Sequence, residues 1–320
     1  MSPPLPGALG LPPRAAGIDI GTNTCSMAVV GRVGAGPVYE ILEDYAVVTS
    51  LGRGRDEEGR LHPDSITRTM TVLRMFRRRL QMMDVPQVRI AATSAVRDAP
   101  DGGDFANAVA DELDASVAIL SGEEEAATVY SAVDREFGDR GVLAMVDVGG
   151  GSTELAHGSH GRMRQRVSVD LGALRCTEGE LRGIAPPEAA DLRRLEGMIR
   201  AALRPIPAPD GPLVVVGIGG TATIQLAVRD AIDPYDGRRI HGVPLAVDEL
   251  RGLVARGSRM TVAEIAALPG MEAGRAPYAL AGAMILQGAL EHLGVDSMLV
   301  SDRGLRYGLL LRPYPDMRIR

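Results

Sequence analysis

Lysine is absent from the 320-residue chain, so all 35 basic residues are arginine. That excludes Schiff-base chemistry and the phosphate-binding mechanisms of P-loop proteins and kinases, which rest on a lysine amine. Phosphate would have to be held by arginine, backbone amides, hydroxyls or a metal, and the planar guanidinium suits it because it bonds phosphate in a bidentate way. Cysteine is nearly absent too. Cys25 and Cys176 stand alone with no CxxC spacing, which argues against a disulfide framework or a zinc site and for core or loop thiols. No apolar run is long enough to span a membrane. The segment up to Pro13 is rich in Pro, Gly and Leu but lacks a basic n-region, so it reads as a loose tail rather than a signal peptide, and a cytoplasmic protein is expected. Excess positive charge is also missing: the formal net charge is −6 and the pI about 5.5. A general binder of nucleic acid or of anionic membranes is therefore not expected, which leaves room only for a local basic cleft.

At this length two domains of ordinary size are the natural expectation, and a composition 24% charged and 45% hydrophobic is that of a globular protein. The central stretch is Met145 to Leu155. An apolar run from Val142 to Val148 is interrupted by one carboxylate, Asp147, and ends at Gly149, Gly150 and Gly151, followed by Ser152 and Thr153. Such a run reads as a buried strand delivering one Asp to a turn whose amides can converge on an anion. Glu154 opens the return strand seven positions on, so a hairpin brings both carboxylates to the mouth of one turn. Two carboxylates suit Mg²⁺, which also takes phosphate oxygens. The plainer alternative is a glycine hairpin with a solvated Glu and an Asp bonded to turn amides. A second copy of the pattern lies near the N-terminus, where Asp19 sits in an apolar strand that ends at Gly21, Thr22, Asn23 and Thr24 before a return strand from Cys25. Two such turns imply two similar lobes serving one ligand.

Along the chain, Val38 to Thr49 reads as a third strand, and Leu51 to Asp56 as either a solvated turn or a basic lip. From Pro63 apolar residues recur at helical steps, with Arg77, Arg78 and Arg79 on what reads as a solvated face. Val88 to Thr93 is a strand that ends beside Arg97, which is either a ligand contact or a surface partner of Asp98. Ser121 is an N-cap candidate, and the acids after it complement a helix dipole without any catalysis. The apolar stripe Ala126, Val129, Tyr130 and Val133 puts Glu124 on the far side and leaves Glu123 and Glu125 on the borders, a choice that periodicity leaves open. Arg164 to Val169 reads as a strand, Val214 to Thr223 as a third strand-to-glycine turn, Ala279 to Leu293 as a helix, Ser297 to Ser301 as a strand and Gly304 to Leu311 as a closing helix.

The segments GIDIGTNT, ATSAVRDA, SGEEEA, DVGGGSTEL, SVDLGALR, GIGGTATI and SDRGLRYGLL, in this order from about Gly17 to Leu311, resemble the exopolyphosphatase and guanosine pentaphosphate phosphohydrolase family, a branch of the actin, sugar-kinase and chaperone-ATPase superfamily. The resemblance implies an α/β fold of two ribonuclease-H-like domains with the active site in the cleft between them, each domain supplying one phosphate loop. It implies a tail over 1–15, a first domain over 16–128 completed by 303–320, and a second over 129–302. On the family's motifs Glu125 falls on the catalytic glutamate, and Arg97 on an arginine that holds phosphate oxygens. Asp147 and Glu154 fall on the metal-associated acids, Gly21 to Thr24 on the first phosphate loop and Gly149 to Thr153 on the second. The implied activity is Mg²⁺-dependent release of orthophosphate from the end of inorganic polyphosphate, with no organic cofactor. Guanosine pentaphosphate is the alternative substrate, and an ATP-dependent kinase or a non-catalytic polyphosphate or alarmone sensor are the rival classes. The long relatives carry an extra C-terminal helical domain. Its absence here implies the short form, a preference for short chains and no nucleic-acid or membrane partner, with a homodimer compatible with the pattern.

Overall fold

The computed structural model describes residues 10–209 and 211–320. It divides into two compact units, Met1–Ala132 with Leu305–Arg320, and Val133–Gly304. The first contains β1 (Arg14–Ile20), β2 (Thr24–Arg32), β3 (Val38–Val48), α1 (Pro63–Met82), β4 (Gln87–Ala92), α2 (Ser94–Arg97), α3 (Gly102–Leu113), β5 (Val117–Ile119) and most of α4 (Gly122–Phe137). The second contains β6 (Val142–Val148), β7 (Thr153–Ser159), β8 (Arg162–Val169), α5 (Ala173–Glu178), α6 (Ala189–Leu203), β9 (Leu213–Ile218), α7 (Gly219–Arg229), β10 (Val243–Ala246), α8 (Val247–Gly257), α9 (Val262–Ala266), α10 (Ala279–Leu293) and β11 (Ser297–Ser301). The chain then returns to the first unit as α11 (Leu305–Leu311) and β12 (Arg318–Ile319).

One sheet has the order β12-β3-β2-β1-β4-β5 and the other β10-β11-β9-β6-β7-β8. Apart from the added edge strands β12 and β10, both read 3-2-1-4-5 in their own chain order. An antiparallel meander comes first and parallel strands follow. This repeat is the ribonuclease-H-like plan, and the chain is a two-unit protein of the actin-like class. The expected tail lies outside the described residues as far as residue 9. The structure starts β1 at Arg14, and the Pro12 and Pro13 carbonyls already accept from Tyr39 Oη and the Arg32 amide.

The central strands are apolar throughout because each sheet is buried on both faces. In β1 and β2, Ala16, Ile18, Ile20, Cys25, Met27 and Val29 pack under α1 and α3, while Ala15, Ala28 and Val30 pack with Tyr307, Leu310 and Leu311 of α11. Helix α1 starts at Pro63, where His62 Nδ1 accepts from the Asp64 amide, and it buries Leu73, Phe76 and Leu80. Ser65 and Thr69 share that face, their hydroxyls turned back onto backbone carbonyls, so the helix buries two polar residues that the apolar stripe alone omits. Three exposed arginines of α1 form ion pairs: Arg74 and Arg77 with Glu112, and Arg79 with Glu43. In the second unit one core joins α6, α7, α8 and α10 to the face of the sheet that carries Val146, Val148, Leu155 and Val215.

Candidate active site

In the first unit the turn Gly21 to Thr24 closes on itself, the Gly21 amide donating to the Thr24 carbonyl at 2.9 Å. The Leu51 to Asp56 loop is docked on this turn. The Gly52 amide donates to the Thr22 carbonyl at 2.8 Å, and the Thr49 and Ser50 amides donate to the Asn23 carbonyl at 2.9 Å. Ser50 Oγ reaches Asn23 Oδ1 at 3.0 Å, and Arg55 Nη2 donates to the Ala95 carbonyl at 2.6 Å. The loop therefore braces the turn from behind, with Arg55 tied down and Arg53 exposed.

Arg97, at the end of α2, donates from Nη1 to the Leu120 carbonyl at 3.0 Å and lies 3.5 Å from Glu125 Oε2, while its Nε is 3.4 Å from Asp98. Arg97 thus pairs with Asp98 and also reaches Glu125. The three glutamates of α4 separate by burial and bonding. Glu124 and Ser121 cap each other reciprocally at the helix start, Glu123 is exposed, and Glu125 is only 9% exposed beside Arg97. The first turn of α4 thus contains one capping acid, one exposed acid and one held against a guanidinium.

In the second unit Asp147 and Glu154 are direct cross-strand partners on β6 and β7, so they share one face of the sheet at the mouth of the Gly149 to Thr153 loop. The Gly149 amide donates to the Ser152 carbonyl at 3.0 Å. Helix α5 supports the loop from below: the Ala173 amide bonds the Gly149 carbonyl, the Leu174 and Arg175 amides bond that of Gly150, and Arg175 Nε bonds that of Gly151 at 2.8 Å. Gly172 makes this approach feasible, since a Cβ there would lie 2.4 Å from the Gly150 and Gly151 backbone. Ser152 and Thr153 are buried, and the Thr153 hydroxyl donates to the Leu171 carbonyl, which makes it a brace of the loop. Glu154, 1% exposed, accepts from Ser168 Oγ at 2.7 Å.

Asp147 faces the third glycine turn. Gly219 has φ +76°, and a Cβ there would sit 2.5 Å from Asp147 Oδ1, so only glycine leaves this carboxylate its space. Thr221 Oγ1 ties the same turn to the Val148 carbonyl at 2.7 Å. Burial pushes the Asp147 carboxyl up to about 6, because the charged form has lost its water. Sequence reasoning missed Ser168, Arg175, Gly219 and Thr221 as parts of this site, although they lie inside SVDLGALR and GIGGTATI. It also missed Arg275, whose guanidinium lies over Gly220 while Nε donates to Glu272 at 2.6 Å. That arginine stands in a stretch with no motif to mark it.

Among the described residues no cluster of three or more His, Cys, Asp or Glu is placed to hold a metal. The pair Asp147 and Glu154 fits an ion of the Mg²⁺ kind, which is bound by one or two carboxylates together with water and substrate phosphate. A cation next to the desolvated Asp147 carboxylate would compensate the charge that burial penalises.

Known proteins share this arrangement. The model of the Ppx/GppA phosphatase family matches residues 29–316. Exopolyphosphatase 2 of Mycobacterium tuberculosis is 32% identical over 314 residues, covering 93% of this chain and 98% of that protein. The Aquifex aeolicus PPX-GPPA enzyme superposes with a TM-score of 0.79 at 30% identity, covering 93% of this chain and 99% of that one. An exopolyphosphatase from Cytophaga hutchinsonii, at 20% identity and a TM-score of 0.83, shares the fold. With the family model spanning both glycine-loop units and relatives matching end to end, the chain belongs to the Ppx/GppA phosphatase family.

Proposed function

We propose that this protein is an exopolyphosphatase that releases orthophosphate from the end of inorganic polyphosphate. The observation that carries the reading is the likeness to exopolyphosphatase 2 along 98% of that protein's length. The geometry supports roles for the residues. Glu125, set against Arg97 and shielded from bulk water, takes a proton from the attacking water. The water oxygen bonds to the terminal phosphorus, the phosphoanhydride bond breaks, and its electron pair leaves on the bridging oxygen of the shortened chain. The proton held on Glu125 then passes to a product oxygen. Arg97 and the two glycine turns, Gly21 to Thr24 and Gly149 to Thr153, hold phosphate oxygens in place. Asp147 and Glu154 hold a divalent ion, Mg²⁺ by their chemistry, which when bound neutralises charge on the transferring group.

The protein works in the cytoplasm and prefers short chains. Two buried free thiols agree with a reducing compartment, and among the described residues no helix is long and apolar enough to cross a membrane. The test is a phosphate-release panel of polyphosphates of several lengths, guanosine pentaphosphate and ATP, each with Mg²⁺ and with EDTA. Metal-dependent release from polyphosphate is expected to dominate. Release from guanosine pentaphosphate alone would replace the substrate, and ATP turnover without polyphosphate turnover would replace the reaction.

A further inference from the structure

The hairpin of β7 and β8 is basic in a chain that is acidic. From Thr153 to Val169 it carries Arg162, Arg164 and Arg166 against a single carboxylate, the buried Glu154. All three arginines are exposed, and β8 is the last strand of its sheet. The register gives the row a direction. Arg162 pairs with Ser159 at the far end of the hairpin, Ser168 with Glu154 and Val169 with Thr153, so β8 runs from the hairpin tip to the second glycine loop. At about 3.4 Å per residue the seven steps from Arg162 to Val169 cover about 24 Å. Arg175 continues the line at the loop itself, its Nε on the Gly151 carbonyl.

An edge strand needs some charge to prevent pairing with another chain, often a basic side chain, but the three arginines also line up in a row towards the loop. Three arginines and no exposed acid between Thr153 and Val169, in a chain of net charge −6, form a row of one sign on the strand; the first exposed acid is Asp170, past its end, 4.0 Å from Arg175. Neither Arg162 nor Arg164 is held in an ion pair among the described residues, whereas Arg74, Arg77 and Arg79 of α1 are paired with Glu112 and Glu43.

We infer that β8 is a track for the polyphosphate chain, with Arg162, Arg164 and Arg166 holding phosphoryl groups behind the end that is cleaved. This rests on the exopolyphosphatase reading and deepens it, because it names the residues that set how much of the chain is bound. The row is short, so affinity should rise with chain length and level off once the strand is covered.

The experiment compares KM for tripolyphosphate with KM for a long polyphosphate in the wild type, in R162A/R164A and in R162E/R164E. In the wild type KM should fall from the short to the long substrate. The ratio of long-chain to short-chain KM should rise about tenfold in the alanine pair and further in the glutamate pair, and the salt dependence of long-chain KM should become shallower. The glutamate pair discriminates the two accounts, since acids guard an edge as well as arginines do but repel phosphate. An unchanged ratio in both variants, or a wild-type KM indifferent to chain length, overturns the track while leaving the activity in place. A wild type that hydrolyses neither substrate overturns the activity itself.

Discussion

Glu125 and Asp147 owe their properties to opposite surroundings, one carboxylate lying against a guanidinium and the other desolvated beside a glycine turn. Glu125→Gln keeps the shape of the side chain and removes the proton acceptor. Turnover should fall by about 10² to 10⁴-fold with substrate affinity nearly unchanged. A variant with wild-type kcat would move the base elsewhere, and Glu123 would be next. Asp147 lends itself to a pH test. Its carboxyl titrates near 6 when folded, against about 3.9 in an unfolded chain. Between these values the folded protein keeps a proton that the unfolded chain has lost. This contribution to stability is therefore complete below about pH 4 and is lost as pH rises through about 6. In EDTA the melting temperature should decline over that window, Asp147→Asn should remove that part of the decline, and Mg²⁺ should oppose it above pH 6 because the ion binds the deprotonated form. Identical melting profiles for wild type and variant in EDTA would contradict the burial of this charge.

The second glycine loop depends on the helix beneath it. Three amides of α5 and the Arg175 side chain bond its carbonyls, which fixes the position of the loop. Gly172 has ordinary extended φ, so Gly172→Ala tests close approach alone and not backbone strain. The added methyl should push the loop off α5, costing about 1–3 kcal/mol of stability and lowering turnover by about 10- to 10²-fold, because misplaced positioning groups penalise reaction more than folding. Calorimetry beside kinetics checks it, and unaltered kcat with altered stability would mean that the loop's position does not matter to the reaction. The docked Leu51 to Asp56 loop stands to the Gly21 to Thr24 turn as α5 stands to the second loop.

For the molecule as a whole, charge decides how a polyanion is handled. The net charge is −6, Arg74, Arg77 and Arg79 of α1 are engaged with Glu112 and Glu43, and the basic row from Arg162 to Arg166 on β8 spans only about 14 Å. A chain held over so short a length should dissociate between cleavages, which makes the enzyme distributive. Partial digestion of long polyphosphate, followed on a gel, should show the whole population shortening gradually. Intact long chains beside free orthophosphate, with nothing of intermediate length, would show processive action and contradict this account.

Local sequence determined the parts of this protein whose physics is local. A strand that carries one Asp into three glycines, with Glu seven positions on, pairs Asp147 with Glu154 by hairpin arithmetic, and the register of β6 and β7 is that pairing. The long strands and helices were equally legible, since Ala279–Leu293 and Ser297–Ser301 coincide with their patterns. Short pieces were not, because β10 has four residues including Pro244 and β12 has two, too few for a period to register. Periodicity also left Glu123 and Glu125 equivalent on the borders of one helix. Tertiary structure separated them, since the fold brings Arg97, which also bonds the Leu120 carbonyl, to 3.5 Å from Glu125. It likewise brought Gly219 against Asp147, seventy-two positions apart, and laid Arg275 over Gly220. Contacts between distant segments leave no trace in local periodicity, because what selects those residues is the space that remains once the strands are side by side.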